Sequence, residues 1–319
     1  MRWIIGLDEA GYGPNLGPFV MSAVAVQVPE GADEASPWSL LQIALCRRAD
    51  HTPGDPRLIV DDSKAIHCPK RGVAVLEQHL WPFLQPLERV APQTLAEFWQ
   101  ERVLTPLDHL DHETWLDRAA PLPVGKQTLD KARMAAAVLQ RQMRQQEVKL
   151  ACLRSMVVFP RQFNAITEKA DTKAAVVLEA VARLLQDLPC QPDDDVRIVV
   201  DRLGGRQHYQ PFLQQLYPDR MVMCRGETAR SSSYQVGPHW TMQFRVQAEQ
   251  HCFSVALASM LSKYLREVLM LQFNRFWQQH LPDLKPTAGY PTDAVRFWAA
   301  TAEVRQKHGM ADEAWWRKR

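Results

Sequence analysis

The stretch WIIGLDEAGYGPNLGPFVMSAVAVQV, residues 3–28, decides how the rest of the chain is read. Its first five residues, WIIGL, are apolar and strand-prone and run directly into Asp8 and Glu9. Gly11, Gly13 and Gly17, with Pro14 and Pro18, then punctuate a tight loop. Residues 19–28, FVMSAVAVQV, make a second long apolar run. Two strands joined by so short a loop pair antiparallel. In α/β sheets functional groups gather beyond the carboxyl ends of strands, so a buried strand stopping at two adjacent acids marks a candidate site.

Downstream, helices and strands alternate. Residues 58–60 lead into Asp61, Asp62, Ser63 and Lys64, and residues 69–84 read as a helix. Residues 85–125 carry few regular signals and prolines at 86, 92, 106, 121 and 123. Good helix formers with helical periodicity fill 126–147, and 150–159 reads as a strand ended by Pro160. One amphipathic helix is expected over 167–187, with Thr167 as its N-cap. The run VRIVV at 196–200 stops at Asp201. A short strand at 220–224 would put Met221, Met223 and Cys224 in the core, and 231–248 alternates like a hairpin about Gly237-Pro238. The strongest helix signal covers 254–279, with Met260, Leu261, Leu265, Leu269 and Phe273 as packing residues. Interleaved strands and helices predict one α/β domain, with 85–147 inserted into it.

Composition narrows the class. The chain has 319 residues, 46% hydrophobic and 23% charged, which suits a folded globular protein. No apolar run is long enough to span a bilayer, so no membrane partner is expected. Carboxylates fall within the first nine residues, so a secretory leader is not expected. The six cysteines show no CxxC spacing, which argues against zinc and against a disulfide framework, and a reducing cytoplasm is expected. The net charge of +2 hides a split: residues 202–319 hold 16 Lys/Arg and 9 Asp/Glu. A basic half beside an acidic half suits a protein that meets phosphates and holds metal, although drift of surface charge gives the same split.

Asp8-Glu9 and Asp201 end separate apolar strands and can lie side by side; Glu249, just before the long helix, can cap it or turn inward as a ligand. Carboxylates held together repel, and hard oxygen ligands select Mg²⁺ or Mn²⁺. The glycine loop lacks the GxGxxG and GxxxxGK[ST] spacings, so dinucleotide and mononucleotide readings recede.

At this point a family resemblance emerges. GLDEAGYGPNLGPFVMSAVAV (6–26) resembles the DEAGRGP opening of ribonuclease HII, and Asp61-Asp62-Ser63-Lys64 its DSK motif. FNAITEKADTKAAVVLEAV (163–181), VRIVVDRLGG (196–205), VQAEQHCFSVALASMLSKYLREVLM (246–270) and Gly289-Tyr290-Pro291-Thr292 are similar to further blocks, in the same order. The resemblance implies a ribonuclease H-like fold, a mixed five-stranded sheet flanked by helices, with 85–147 as a helical and irregular insertion. It implies cleavage of the RNA strand of RNA/DNA hybrids, or of duplex DNA at an embedded ribonucleotide. Asp8, Glu9, Asp201 and Glu249 would hold two Mg²⁺ or Mn²⁺ ions, one activating water for in-line attack and the other stabilising the leaving 3′ oxygen, giving 5′-phosphate and 3′-OH. Gly11, Tyr12 and Gly13 would read the 2′-OH, Tyr290 would pack on the junction sugar, and Ser63 and Lys64 would lie near the phosphates. A monomer is expected. Tyr12 stands where the family has arginine, and Glu249 where it has aspartate. No additional N-terminal domain of the ribonuclease HIII kind is expected.

Two other classes use the same residues: a nuclease of this fold that acts on DNA structures and ignores the 2′-OH, and a hybrid-binding protein without catalysis. Arg202, Arg206, Arg225 and Arg230 read as a phosphate track or as solvated surface. The tail Trp315-Trp316-Arg317-Lys318-Arg319 is expected to pack a terminal helix and fray, or to stack on nucleic acid.

Overall fold

The two apolar runs of residues 3–28 become strands β1 (Arg2–Ala10) and β2 (Phe19–Val28), paired antiparallel from Arg2↔Val28 to Ala10↔Val20. A computed structural model describes residues 1–67, 72–85, 91–125 and 128–318. Cys68, the opening of the helix expected over 69–84, Pro86, the first two residues of the helix expected over 126–147, and Arg319 lie outside the described residues.

Five further strands complete the main sheet: β3 (Lys149–Val158), β4 (Val196–Asp201), β5 (Val222–Glu227), β6 (Ser231–Val236) and β7 (Trp240–Arg245). Their order is β3-β2-β1-β4-β7-β6-β5. β4 runs parallel to both β1 and β7, and the remaining pairs are antiparallel. The mixed sheet flanked by helices agrees with the expected architecture, but the strand count does not. Seven strands replace five, because β5 and β6 fold back on β7 and lengthen one edge. Residues Leu58–Ile59 join a separate two-stranded pair with Leu45–Cys46.

The helices that frame the sheet are α1 (Ser63–Ile66), α2 (Ala74–Leu84), α3 (Leu95–Arg102), α4 (Thr128–Gln145), α5 (Pro160–Ala170), α6 (Ala174–Gln186), α7 (Phe253–His280) and α8 (Pro291–Ala300). Strand alternation sorts the core into two faces. Ile5, Leu7, Ile198 and Val200 pack with α6 residues Val177, Val181 and Leu184. Ile4, Val20, Val24 and Val199 pack with α7 and with Phe98, Trp99 and Trp115. Gly6 lets α7 lie directly on β1, since a Cβ there would sit 2.1 Å from the Val255 nitrogen.

Three local expectations are corrected. Residues 167–187 form two helices, not one: Pro160 opens the first at a position that needs no N–H, and Asp171 at φ 51° ends it. Thr167 is therefore helix interior, not an N-cap. Met221, Met223 and Cys224 face solvent, because β5 is the edge strand and the helix Gln210–Leu216 beside it buries Val222 but not these three. Over residues 315–318 the tail packs as expected but does not fray. Trp315 and Arg317 are buried, and Arg317 Nη1 donates to the Gly11 carbonyl at 2.7 Å.

Candidate metal centre

β1 and β4 are paired in parallel up to Leu7↔Val200, so the next residues, Asp8 and Asp201, emerge side by side. Both point to the α7 face, opposite the buried Leu7 and Val200. Asp8, Glu9 and Asp201 each place a carboxylate oxygen within 4.8 Å of the others. Glu249 is buried in the 3₁₀ turn Ala248–Gln250 that precedes α7. It lines the same cavity of about 470 Å³ but stands outside the tight group of three. Asp62, Ser63 and Lys64 form another wall. Asp62 caps α1 by accepting from the Lys64 N–H at 3.0 Å, which turns the Ser63 and Lys64 side chains toward the cavity.

The electrostatics show acids under mutual pressure. Burial, then Glu9 and Asp201, pushes the Asp8 carboxyl well above its ordinary range, against the Ser259 hydroxyl and the Glu9 N–H. Burial and Asp201 raise Glu9 to about 7, with Lys64 opposing. Asp201 is raised by burial although the Ala248 N–H donates to it at 3.0 Å. Glu249 rises through burial and then through Asp201 and Asp62. Burial draws the Lys64 ammonium down, but Asp62, Asp8, Glu249 and Asp201 outweigh it and its pKa rises. Glu9 Oε2 is buried with no hydrogen-bond partner. An orphaned carboxylate oxygen among like charges suits coordination to a hard cation, so this donor set fits Mg²⁺ or Mn²⁺.

Beneath the acids runs a line of buried serines. Ser262 Oγ lies 2.9 Å from the Asp8 carbonyl oxygen and 2.8 Å from Ser22 Oγ, which lies 2.8 Å from Ser155 Oγ. Ser259 donates to Ser63 Oγ at 3.0 Å, tying α7 to the Lys64 wall.

Gly11, Tyr12, Gly13 and Tyr290 do not line this cavity; they form the surface next to it. Gly289, at φ 81°, accepts from the Asn15 N–H at 2.8 Å and from the Leu16 N–H at 3.2 Å, which sets the exposed Tyr290 ring against Gly13. Tyr12 is half-buried, edge-on to Phe19, with Lys173 Nζ 4.7 Å over its ring. Burial, then Glu9, raises its phenol. Two buried guanidinium groups support the loop from below. Arg266 donates to the Ala288 carbonyl at 3.0 Å, and Arg317 to that of Gly11. Arg317 falls to about 9 through burial and then Arg266. From sequence, Asp61 and Asp62 could add carboxylates to the site or, more readily, serve the loop; the bracing of the glycine loop by Arg317 was missed. No local pattern exposes a contact between residues 306 positions apart.

No protein-family model and no curated protein matches the chain. Among solved structures, it is similar to the ribonuclease H2 from Pyrococcus horikoshii OT3, at 15% identity over 98% of this chain and 92% of that one, with a TM-score of 0.47. It is also similar to the RNase HII of Archaeoglobus fulgidus in a complex with PCNA, at 13% identity over 99% and 94% of the two chains, with a TM-score of 0.46. A third is Bst-RNase HIII in complex with Mn²⁺, at 15% identity over 99% and 66%, with a TM-score of 0.41.

Proposed function

We propose that the chain is a metal-dependent ribonuclease H, hydrolysing the RNA strand of RNA/DNA hybrids or duplex DNA at an embedded ribonucleotide. The observation that carries this reading is the convergence of Asp8, Glu9 and Asp201 around an orphaned Glu9 oxygen. The six co-linear sequence blocks support it, since they carry these acids, the glycine loop and Tyr290 in the order the resemblance implies.

Asp8, Glu9 and Asp201 would hold Mg²⁺ or Mn²⁺, with Glu249 completing the set from the cavity wall. When bound, the metal supplies Lewis-acid polarisation of the phosphate and a more acidic water. Asp8 and Asp201, fixed at strand ends, orient the site; Glu9, held at about 7 by burial and Asp201 in the metal-free chain, would give up its proton as the cation binds. Lys64, at the cavity wall, meets a phosphate oxygen. The Gly11–Gly13 loop offers backbone groups to the 2′-OH, the group that separates RNA from DNA. Tyr290 offers an exposed ring to the neighbouring sugar.

The test is cleavage of three substrates with Mg²⁺ or Mn²⁺: a hybrid, a DNA duplex with one ribonucleotide, and an all-DNA duplex. The parent cuts the first or second and spares the third, and Asp8→Asn loses at least about 100-fold in rate. Cleavage that survives Asp8→Asn refutes the assignment. Cutting of all-DNA substrates at equal rate favours a nuclease that ignores the 2′-OH. Absence of Mn²⁺ binding by calorimetry at millimolar metal favours a hybrid-binding protein.

A further inference from the structure

The two strands that lengthen the sheet leave one of its faces open beside the acids. α7 covers β1 and β2 on this side but scarcely reaches β7 and β6. The buried alternate residues Tyr234, Met242 and Phe244 pack away from it, toward the α6 side. The open face carries Ser231, Ser233, Thr241, Gln243 and Arg245, all half-buried or exposed. None of them is a carboxylate. A water-facing sheet surface is ordinary in itself; its chemistry and position here are not.

Three guanidinium groups follow Asp201 across the end of the sheet, where β4 and β7 stop and β6 begins; Arg245 alternates onto the open face, and Arg202 and Arg230 stand at its rim. Arg202 is its chain neighbour, Arg245 is its partner on β7, and Ser231, the partner of Arg245 on β6, directly follows Arg230. None of the three makes an ion pair among the described residues. Arg202 donates only to carbonyl groups, those of Arg206 at 2.9 Å, Thr228 at 3.4 Å and Ala229, and so braces the turn that carries Arg230. The nearest acid on these strands, Glu227, is engaged by His208 and by the Tyr234 hydroxyl. Gln243 Nε2 donates to Ser231 Oγ at 2.9 Å and Ser233 Oγ at 3.3 Å. Because both hydroxyl oxygens are accepting, their own protons remain free to donate outward.

We propose that the open face and this rim, from Arg202 through Arg245 to Arg230, form a docking platform for the sugar–phosphate backbone of a nucleic-acid duplex. Cations and hydroxyl donors without acids complement a polyanion. From β4 to β6 the platform spans two strand spacings, roughly 10 Å. Phosphates on one strand advance about 3.4 Å along the duplex axis, so that length meets two or three of them. The platform adjoins Asp201, so it would hold the duplex next to the bond presented to the acids. It rests on the nuclease reading only for that last point; backbone binding itself does not require cleavage.

The experiment measures binding of a labelled RNA/DNA hybrid and of an all-DNA duplex to the full chain by fluorescence anisotropy. Metal-free buffer from 50 to 200 mM salt prevents cutting. Each lost phosphate contact lowers the slope of log affinity against log salt by about 0.9. Arg230→Ala with Arg245→Ala is expected to lower it by about 2 and, with the affinity extrapolated to 1 M salt unchanged, to weaken both duplexes about 60-fold at 0.1 M salt. Arg230→Lys with Arg245→Lys restores the slope, since charge and not shape is read. Arg133→Ala on the exposed face of α4 changes nothing. Unchanged affinity and slope in the folded alanine pair overturns the proposal, as does failure of the lysine pair to restore them. A selective loss on the hybrid alone also overturns it, because phosphates do not distinguish the two duplexes. If the parent binds with this slope but cleaves nothing, the platform stands and the ribonuclease reading falls.

Discussion

The acid cluster makes the metal-free protein respond to pH in an inverted sense. Burial and Asp201 hold Glu9 at about 7 instead of 4.5. A carboxyl raised above its unfolded value keeps its proton longer in the folded chain. Between 4.5 and about 7 the folded state therefore binds more protons than the unfolded one, and stability falls as pH rises. Once both states are ionised, the difference amounts to about 3 kcal/mol. Glu113 is pushed to about 7 as well, by burial, so the slope of the parent alone does not isolate the site. The comparison with Glu9→Gln does.

In chelator, the parent and Glu9→Gln are expected to melt within a degree or so of each other near pH 5, where Glu9 is largely protonated. Near pH 8 the variant should melt higher by about 5 °C, the shift that about 3 kcal/mol produces in a chain of this size. Millimolar Mg²⁺ or Mn²⁺ should then raise the parent more than the variant, because the cation relieves the repulsion that glutamine has already removed. Scanning calorimetry at the two pH values, with and without metal, gives all four comparisons. Identical pH dependence of the two proteins in chelator would refute the reasoning, since Glu9 would then carry no strained charge.

Three other perturbations probe how the site is held. Gly6→Ala drives a methyl to within 2.1 Å of the Val255 nitrogen, a backbone atom that cannot rotate away; it should cost about 3 kcal/mol, read as a lower urea midpoint. Glu77 accepts from the Val124 N–H at 2.6 Å, the Gly125 N–H at 2.8 Å and the Tyr264 hydroxyl at 3.0 Å; Glu77→Ala strands these donors and should cost at least about 3 kcal/mol. Arg317→Met removes a buried, hard-to-solvate charge along with one hydrogen bond to Gly11, so melting should shift little, while KM for the hybrid rises several-fold and kcat holds. An unchanged KM would mean that the loop keeps its shape without the tail.

Short-range chemistry made much of this legible from sequence. The glycine loop, the apolar runs ending in acids and the periodicity of α7 are patterns that local sterics and burial impose. What escaped was set by long-range contacts. Met221, Met223 and Cys224 read as core because an edge strand and a central strand look alike in composition; only pairing shows that β5 has one neighbour. The 167–187 region read as one helix because its apolar stripe continues through the break, while the left-handed turn falls on Asp171, a residue type that tolerates it without demanding it. Arg317 read as a fraying tail because nothing in residues 315–319 records that Gly11 and Asn15 wait for it; the Arg317 N–H donates to the Asn15 carbonyl at 2.8 Å.

The position of the acids follows from residues that take no part in chemistry. β1 and β4 keep their register because Ile5 and Leu7 on one, Ile198 and Val200 on the other, are buried on the same face. A slip of β4 by one residue would turn its buried Val196, Ile198 and Val200 toward α7 and carry Asp201 to the opposite side of the sheet from Asp8. Each such side chain contributes about 2 kcal/mol by leaving water, so the three of β4 together outweigh the few kcal/mol by which the crowded carboxylates repel. The acids stay together without metal because the apolar neighbours one residue earlier leave them no other register, and the cation then meets a site already formed.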